Sequence, residues 1–183
     1  MEAFLTSFAV PRRALIVCLA VSAGLIAGAH AFERIGNMAP CLLCLDQREV
    51  HWTALGAAAV LLGFAALGAA RVVAAGLGAL ALVYLFSAGL AGFHAGVEWG
   101  FWPGPDACAP VTDADRAGVD AGSLLGSLDE PGPEGPSCSM AAWRMLGVSM
   151  AGYNALISLG LAAVAGAGCA VFARRMDRRV VRA

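Results

Sequence analysis

Four long apolar stretches divide the chain, at about residues 14–32, 50–70, 72–93 and 145–173. Each is close to or longer than the roughly 20 residues that a helix needs to cross a bilayer. They are rich in Ala and Leu and show no alternation with a period of two, which argues against strands. The pattern predicts an all-α membrane protein, a bundle of four transmembrane helices forming one domain over residues 1–183, with polar loops at 33–49 and 94–144.

The composition agrees with a membrane protein. Hydrophobic residues make up 60% of the chain and charged residues only 14%, whereas soluble domains carry roughly 25% charged residues. Lysine is absent, and the 23 glycines, together with many alanines, are small residues that let helices pack closely within lipid. We therefore expect the lipid bilayer as its surroundings and no nucleic acid among its partners.

The arginines are unevenly distributed between the two sides of the predicted bundle. The side that holds the termini and the tight connection between the second and third helices carries Arg12, Arg13, Arg71, Arg174, Arg175, Arg178, Arg179 and Arg182. The other side carries Arg34, Arg48, Arg116 and Arg144. Because positive residues concentrate on the cytoplasmic side, we expect both termini in the cytoplasm and both loops in the periplasm. An alternative, cleavage of a signal peptide after residues 29–31, would leave the loops in place.

Two of the six cysteines, Cys41 and Cys44, form a C-x-x-C motif directly after Pro40, where the second helix begins. Such a pair can form an exchangeable disulfide, and a helix N-terminus favours the thiolate of a cysteine. Gln47 and Arg48 follow Cys44 by three and four residues, the spacing that puts side chains on one helix face. A guanidinium there would stabilise a thiolate or hold an anionic ligand.

A second pair, Cys108 and Cys138, flanks the middle of the long loop, where residues 111–136 are rich in Gly, Pro and Asp and are expected to be flexible. A short amphipathic helix near 119–128 is an alternative. A bond between these cysteines would either staple the loop, stabilising it by about 3–4 kcal/mol, or present a mobile disulfide to a soluble partner. The residues alone leave open a redox centre, structural disulfides, and a zinc site that uses all four loop cysteines.

Several short motifs occur in order along the chain. They are Pro40-Cys41-x-x-Cys44-x-x-Gln47-Arg48, Phe93-His94-Ala95-Gly96-Val97-Glu98, Trp102-Pro103-Gly104-Pro105 before Cys108, and Cys138 followed by Trp143 and Gly147-Val148-Ser149-Met150-Ala151-Gly152-Tyr153-Asn154. With them, nearly the whole chain resembles the disulfide bond formation protein B (DsbB) family, the membrane quinone reductases of periplasmic disulfide formation.

This resemblance implies a protein-disulfide:quinone oxidoreductase of the bacterial inner membrane. Cys41 and Cys44 would be the pair coupled to ubiquinone, or to menaquinone in its place. Arg48 would help to hold and polarise the quinone, and Cys44 would lie nearest its ring. From the residues themselves, Gln47 and His94 are further candidates for contact with the quinone.

The resemblance also implies a role for the loop pair. Cys108 and Cys138 would oxidise a periplasmic DsbA-type thioredoxin-fold protein, through a mixed disulfide between Cys108 and the partner. Cys138 would then pass electrons to Cys41.

Five residues have expectations that the residues alone support. His94 either contacts the quinone or relays protons, or it is an interfacial histidine satisfied by water, and Glu98 one turn later could pair with it. Asn154 is expected to form a hydrogen bond between helices. Cys18 and Cys169 lie in apolar runs and are expected to be packing residues.

The residues alone leave three other functions open. A membrane scaffold would keep its loop disulfides permanently. A transporter would need ionisable residues in its spans, and these are nearly absent. A relative of the quinone-linked epoxide reductases would share the chemistry, but its C-x-x-C would lie in a later helix.

Overall fold

The computed structural model describes residues 11–105 and 137–180. The elements in chain order are α1 (Pro11–Arg34), α2 (Leu42–Ala66), α3 (Ala70–Glu98), β1 (Arg144–Met145), β2 (Val148–Ser149) and α4 (Met150–Val180). All four helices are long and apolar enough to cross a membrane, which confirms the predicted four-helix membrane bundle. Cys108, Arg116 and the predicted helix at 119–128 lie outside the described residues.

The helices form a closed ring in which each packs against the next and α4 also packs against α1. The centre of the bundle is filled mainly by Leu15, Leu77, Leu80, Tyr84 and Leu161. The outer surface carries large apolar side chains as well, for example Leu82 and Phe86, which are 68% and 64% exposed. Lipid tails are as apolar as leucine, so this outward-facing surface suits a bilayer.

The ends of α2 and α3 are set by glycines in the left-handed conformation. After α2, Gly68 has a φ of 75°, and the Ala69 N–H donates to the Phe64 carbonyl at 3.0 Å. This is a Schellman motif, which needs a residue that tolerates positive φ. The connection is therefore only residues 67–69. Arg71 lies within the first turn of α3 and not in the turn itself, which corrects that part of the prediction.

Two helices extend further towards the loop side than the apolar stretches predict. The second helix begins at residue 42 instead of about 50, and the third continues to residue 98 instead of about 93. An apolar stretch marks the part of a helix that suits lipid, whereas backbone hydrogen bonding can continue through polar residues. As a result, the connections span residues 35–41 and 99–149, and the C-x-x-C motif lies in the first turn of α2.

The fourth helix begins later than predicted, because residues 144–149 form a short antiparallel hairpin. Leu146 and Gly147, the two residues of its turn, have φ values of 51° and 80°. Positive φ at both positions is the signature of a type I′ turn. This hairpin is a small addition to the otherwise all-α fold, and it lies beside the start of α4.

Candidate active site

Cys41 caps the N-terminus of α2. Its Sγ accepts a hydrogen bond from the backbone N–H of Cys44 at 3.3 Å, which satisfies one of the free N–H groups of the first turn. The Sγ atoms of the two cysteines lie 2.8 Å apart, and both cysteines are free. The first turn of α2 thus holds the two sulfur atoms where a disulfide can form with little backbone movement.

His94 of α3 lies against Cys41, with its Nε2 atom 3.6 Å from Sγ. Both side chains are buried, at 2% and 6% exposure. The hydrogen bond from Cys44 is the largest influence on the Cys41 thiol, and the bond from His94 adds to it against the opposing effect of burial. Together they lower the pKa of Cys41 to about 5. Cys41 is therefore the thiolate of the pair at neutral pH.

A chain of hydrogen bonds runs from His94 across the bundle. Gln47 Nε2 lies 2.8 Å from His94 Nδ1 and 3.0 Å from the Leu43 carbonyl oxygen. Asn154 of α4 donates from Nδ2 to Gln47 Oε1 at 2.7 Å. His51 Nε2 lies 2.8 Å from Asn154 Oδ1. These contacts join α2, α3 and α4 directly beneath the cysteine pair.

Arg48 forms an ion pair with Glu33, near the end of α1. The Nη1 and Oε2 atoms are 2.7 Å apart, and Arg48 also lines the same cavity as Cys44. The spacing of Arg48 from Cys44 predicted this shared face. The ion pair neutralises part of the positive charge that Arg48 presents to the cavity.

A cavity of about 320 Å³ lies beside the cysteine pair, between the four helices. Its polar side chains include Cys44, Gln47, Arg48, His51, His94, Glu98 and Asn154. Its apolar wall includes Leu25, Ile26, Phe32, Met145, Met150 and Ile157. The volume falls within the range of small-molecule sites, and the lining suits a flat, mostly apolar ring that carries a few polar atoms.

Cys138 lies next to this site. It is 1% exposed, is disulfide-bonded, and packs in one apolar cluster with Cys41, Leu43 and Val97. Its backbone also hydrogen-bonds the ring of His94. Cys138 is thus held beside Cys41. Its predicted partner, Cys108, lies outside the described residues.

The site also contains a possible set of metal ligands. Cys41, Cys44 and His94 each offer one ligand atom, and these atoms lie within 4.8 Å of one another. Glu98 is close by, with Oε1 at 3.8 Å from His94 Nε2. This set differs from the four-cysteine zinc site considered from the sequence, because the disulfide of Cys138 removes its thiol as a ligand.

The structure brings together most of the residues that the sequence selected. Around one cavity lie Cys41, Cys44, Gln47, Arg48 and His94. The water-satisfied alternative for His94 is wrong, because its ring bonds protein side chains. The interhelical hydrogen bond expected of Asn154 is confirmed, and Cys18 and Cys169 pack in the apolar core as expected.

Two residues of the site were missed by sequence reasoning. His51 follows Gln47 by four residues, so the helix period could have placed it on the same face. Glu33 precedes Arg48 by 15 residues across a helix break, and no local pattern connects the two. Both contacts depend on how α1, α2 and α4 come together.

The family model described as disulfide bond formation protein DsbB matches residues 11–168. The chain belongs to the DsbB family. Searches among curated proteins and among solved structures found no significant match. DsbB membership makes this chain a disulfide-forming membrane oxidoreductase, and the family is in general linked to quinones. In this chain, the Cys41 and Cys44 sulfur atoms lie 2.8 Å apart beside a mostly apolar cavity.

Proposed function

We propose that this DsbB-family protein reoxidises a periplasmic DsbA-type thioredoxin-fold protein and passes the electrons to ubiquinone, with menaquinone as the alternative. The main support is the free Cys41–Cys44 pair, which lies 2.8 Å apart beside an apolar cavity, with His94 and Arg48 close to it. A permanent structural disulfide would need neither the cavity nor the lowered pKa of Cys41.

The residues of the cavity fit a quinone headgroup. Phe32, Met150 and Ile157 offer an apolar wall for a ring, while Arg48 offers guanidinium N–H groups for a carbonyl oxygen. Cys44 lines the same cavity. When bound, a quinone supplies an acceptor for two electrons and two protons.

The first half of the proposed reaction takes place at the loop pair. A thiolate of the reduced partner attacks the Cys108–Cys138 disulfide, and a mixed disulfide forms at Cys108 while Cys138 leaves as a thiolate. The second partner thiol then resolves the mixed disulfide. The partner leaves oxidised, and the loop pair has gained two electrons.

The second half transfers these electrons to the C-x-x-C pair. The Cys138 thiolate attacks Cys41 of an oxidised Cys41–Cys44 pair, and Cys44 leaves as a thiolate. Cys108 then displaces Cys41 from Cys138, which restores the loop disulfide and leaves a reduced C-x-x-C pair. The position of Cys138 in one cluster with Cys41 supports this attack, and the N–H of His94 stabilises the thiolate that Cys41 becomes.

The same proposal includes an orientation in the bacterial inner membrane. The uneven distribution of arginines supports cytoplasmic termini. The connections at 35–41 and 99–149 would then face the periplasm, where disulfides persist and where a DsbA-type partner could reach them.

Quinone reduction by the purified protein tests this function. The protein in detergent receives a reduced DsbA-type protein and a short-chain ubiquinone, and quinone absorbance is followed over time. We expect steady turnover by the wild type and none by Cys44→Ser. Cys169→Ser, which changes a packing cysteine outside the site, should retain turnover.

Two results would contradict the proposed function. A well-folded wild type that shows no turnover, and whose disulfides resist mild reductant, would identify a structural membrane scaffold instead. Equal turnover by Cys44→Ser and the wild type would remove Cys44 from the electron path.

A further inference from the structure

The amide of Gln47 has only one orientation that its surroundings allow. One end of the amide lies 3.0 Å from the Leu43 carbonyl oxygen, which can only accept a hydrogen bond. That end must therefore be the NH₂ group. The other end, the carbonyl oxygen, accepts from Asn154 Nδ2 at 2.7 Å. Gln47 is 6% exposed, so solvent offers little competition for these bonds.

The Gln47 carbonyl oxygen fixes Asn154 in turn, because only the NH₂ end of the Asn154 amide can donate to it. The other end, Oδ1, then lies 2.8 Å from His51 Nε2 and accepts from the Ser158 hydroxyl at 3.4 Å. In both amides the NH₂ group lies on the side towards His94. Asn154 donates to Gln47, and Gln47 donates to His94.

This direction determines which nitrogen of His94 carries a proton. The NH₂ group of Gln47 lies 2.8 Å from His94 Nδ1, so Nδ1 must be the acceptor of that bond. A neutral imidazole then carries its only N–H on Nε2. Nε2 lies 3.6 Å from Cys41 Sγ, and its N–H is available to the thiolate.

The same arrangement works against a metal ion. A histidine that binds zinc through Nε2 needs that nitrogen without a proton, and its other ring N–H normally donates to an acceptor. Here Nδ1 faces a donor, the NH₂ group of Gln47, at 2.8 Å. The ligand atoms of Cys41, Cys44 and His94 lie within 4.8 Å of one another, yet the hydrogen-bond chain withholds the Nε2 lone pair from a cation.

We propose that Gln47 and Asn154 are positioning residues that hold His94 as an N–H donor to the Cys41 thiolate and thereby keep a reduced C-x-x-C pair from binding Zn²⁺. The assignment goes beyond the proposed function, because it concerns the protonation of one ring and the choice between redox chemistry and metal binding. It requires neither quinone nor partner protein, so its test is independent of turnover.

The direct test is the ¹⁵N NMR spectrum of the three histidines in the reduced protein in detergent, with His94 assigned by comparison with His94→Gln. In the wild type we expect the proton of His94 on Nε2. In Gln47→Glu, a carboxylate of nearly the same shape faces Nδ1 and cannot donate. The proton should then move to Nδ1.

Zinc binding provides the second readout. Reduced protein without quinone is titrated with Zn²⁺ in competition with a coloured chelator. Second-shell partners of a zinc-bound histidine change metal affinity by about 10–100-fold, so Gln47→Glu should bind at least about tenfold more tightly than the wild type. Gln47→Leu, which offers neither donor nor acceptor, should fall between them. Asp46→Asn, at an exposed position of the same helix, changes the charge by one unit in the opposite direction and should match the wild type, which would show that a charge outside the His94 contact has little effect on zinc binding.

Either measurement can overturn the proposal. A wild-type His94 with its proton on Nδ1, or with protons on both nitrogens, would contradict it even if Gln47→Glu failed to fold. So would a wild type that binds Zn²⁺ as tightly as Gln47→Glu.

Discussion

The sulfur of Cys41 lies at the N-terminus of a helix and next to a buried histidine. Cys44 Sγ lies 2.8 Å and His94 Nε2 3.6 Å from this sulfur, and hydrogen bonding to these neighbours lowers the pKa of the Cys41 thiol to about 5. Because the group is acidic, a lowered pKa means that the thiolate persists above about pH 5 and is lost as the pH falls through that value.

We therefore predict that alkylation of Cys41 in the reduced protein follows a titration with its midpoint near pH 5. Iodoacetamide reacts with the thiolate, so the rate should be nearly constant from about pH 6 to pH 8 and fall in acid. Mass spectrometry of peptides separates Cys41 from Cys44. The protein unfolded in SDS is the control and should show the usual midpoint of about 8.5. The same midpoint in folded and unfolded protein would contradict the lowered pKa.

The ion pair between Glu33 and Arg48 leads to a second prediction at this scale. Glu33 competes with a quinone oxygen for the guanidinium of Arg48, so Glu33→Gln should lower the KM for quinone. Ion pairs near a protein surface contribute about 0.2–1 kcal/mol, which corresponds to a fall of at most about fivefold. Steady-state quinone reduction measures it. Glu49→Gln, at the exposed position after Arg48, should leave the KM unchanged, and a higher KM in Glu33→Gln would show that Glu33 orients Arg48 for binding.

The C-terminal end of α3 packs tightly against the chain that follows it. A Cβ atom at Gly96 would overlap the ring of Trp102. That ring stacks on Phe93 with centroids 5.9 Å apart, and its Nε1–H donates to the Phe93 carbonyl at 2.9 Å. Helix α3 therefore ends in a fixed aromatic contact one turn from His94.

Gly96→Ala should displace Trp102 and lower the stability of the fold. Overpacking of this kind costs about 1–3 kcal/mol, which thermal unfolding in detergent would detect as a lower Tm. Gly92→Ala is the matched control on the same helix, since a Cβ there meets nothing within 4 Å. If both variants unfold at the same temperature, the contact of Trp102 with Gly96 contributes nothing.

At the scale of helices and strands, the sequence predicted the existence of each helix better than its ends. A helix in lipid needs about 20 apolar residues, and this requirement is visible in the sequence. The extension of α2 back to Leu42 lies outside the apolar stretch, because the residues that follow Cys44 are polar but still form helical hydrogen bonds. The C-x-x-C motif after Pro40 did indicate this start. The hairpin at 144–149 depends on Leu146 adopting positive φ, which is rare for leucine.

In the candidate site too, the sequence predicts contacts within one helix but not contacts between helices. Cys41, Cys44, Gln47 and Arg48 could be selected together because the helix period relates residues close in sequence. The ion pair of Arg48 with Glu33 could not be predicted, because it joins two helices whose packing decides which side chains meet. The hydrogen-bond chain through His51 depends on three helices and is hidden for the same reason.

For the whole molecule, the proposed orientation can be tested with two positions on opposite ends of the bundle. Ser139 is exposed in the connection before α4, and Leu67 is 82% exposed in the turn between α2 and α3. Ser139→Cys and Leu67→Cys are introduced singly into a chain whose own cysteines are all replaced by serine. A thiol reagent that cannot cross membranes should label Ser139→Cys in spheroplasts, but Leu67→Cys only after lysis. The reverse pattern would place the termini in the periplasm.

The cavity has a further consequence for the molecule as a whole, because part of its wall lies within membrane-spanning segments. Gly24 and Gly28 of α1 and Ile157 of α4 line it, and all three lie within spans. A quinone would therefore arrive sideways from the bilayer and not from water. Its isoprenoid tail favours lipid by roughly 0.8 kcal/mol per buried CH₂, so almost all of it is dissolved there. Under the proposed function, the concentration that matters is the number of quinones per lipid. A cell with an unsaturated site that enlarges its quinone pool would then speed up disulfide formation without making more of this protein.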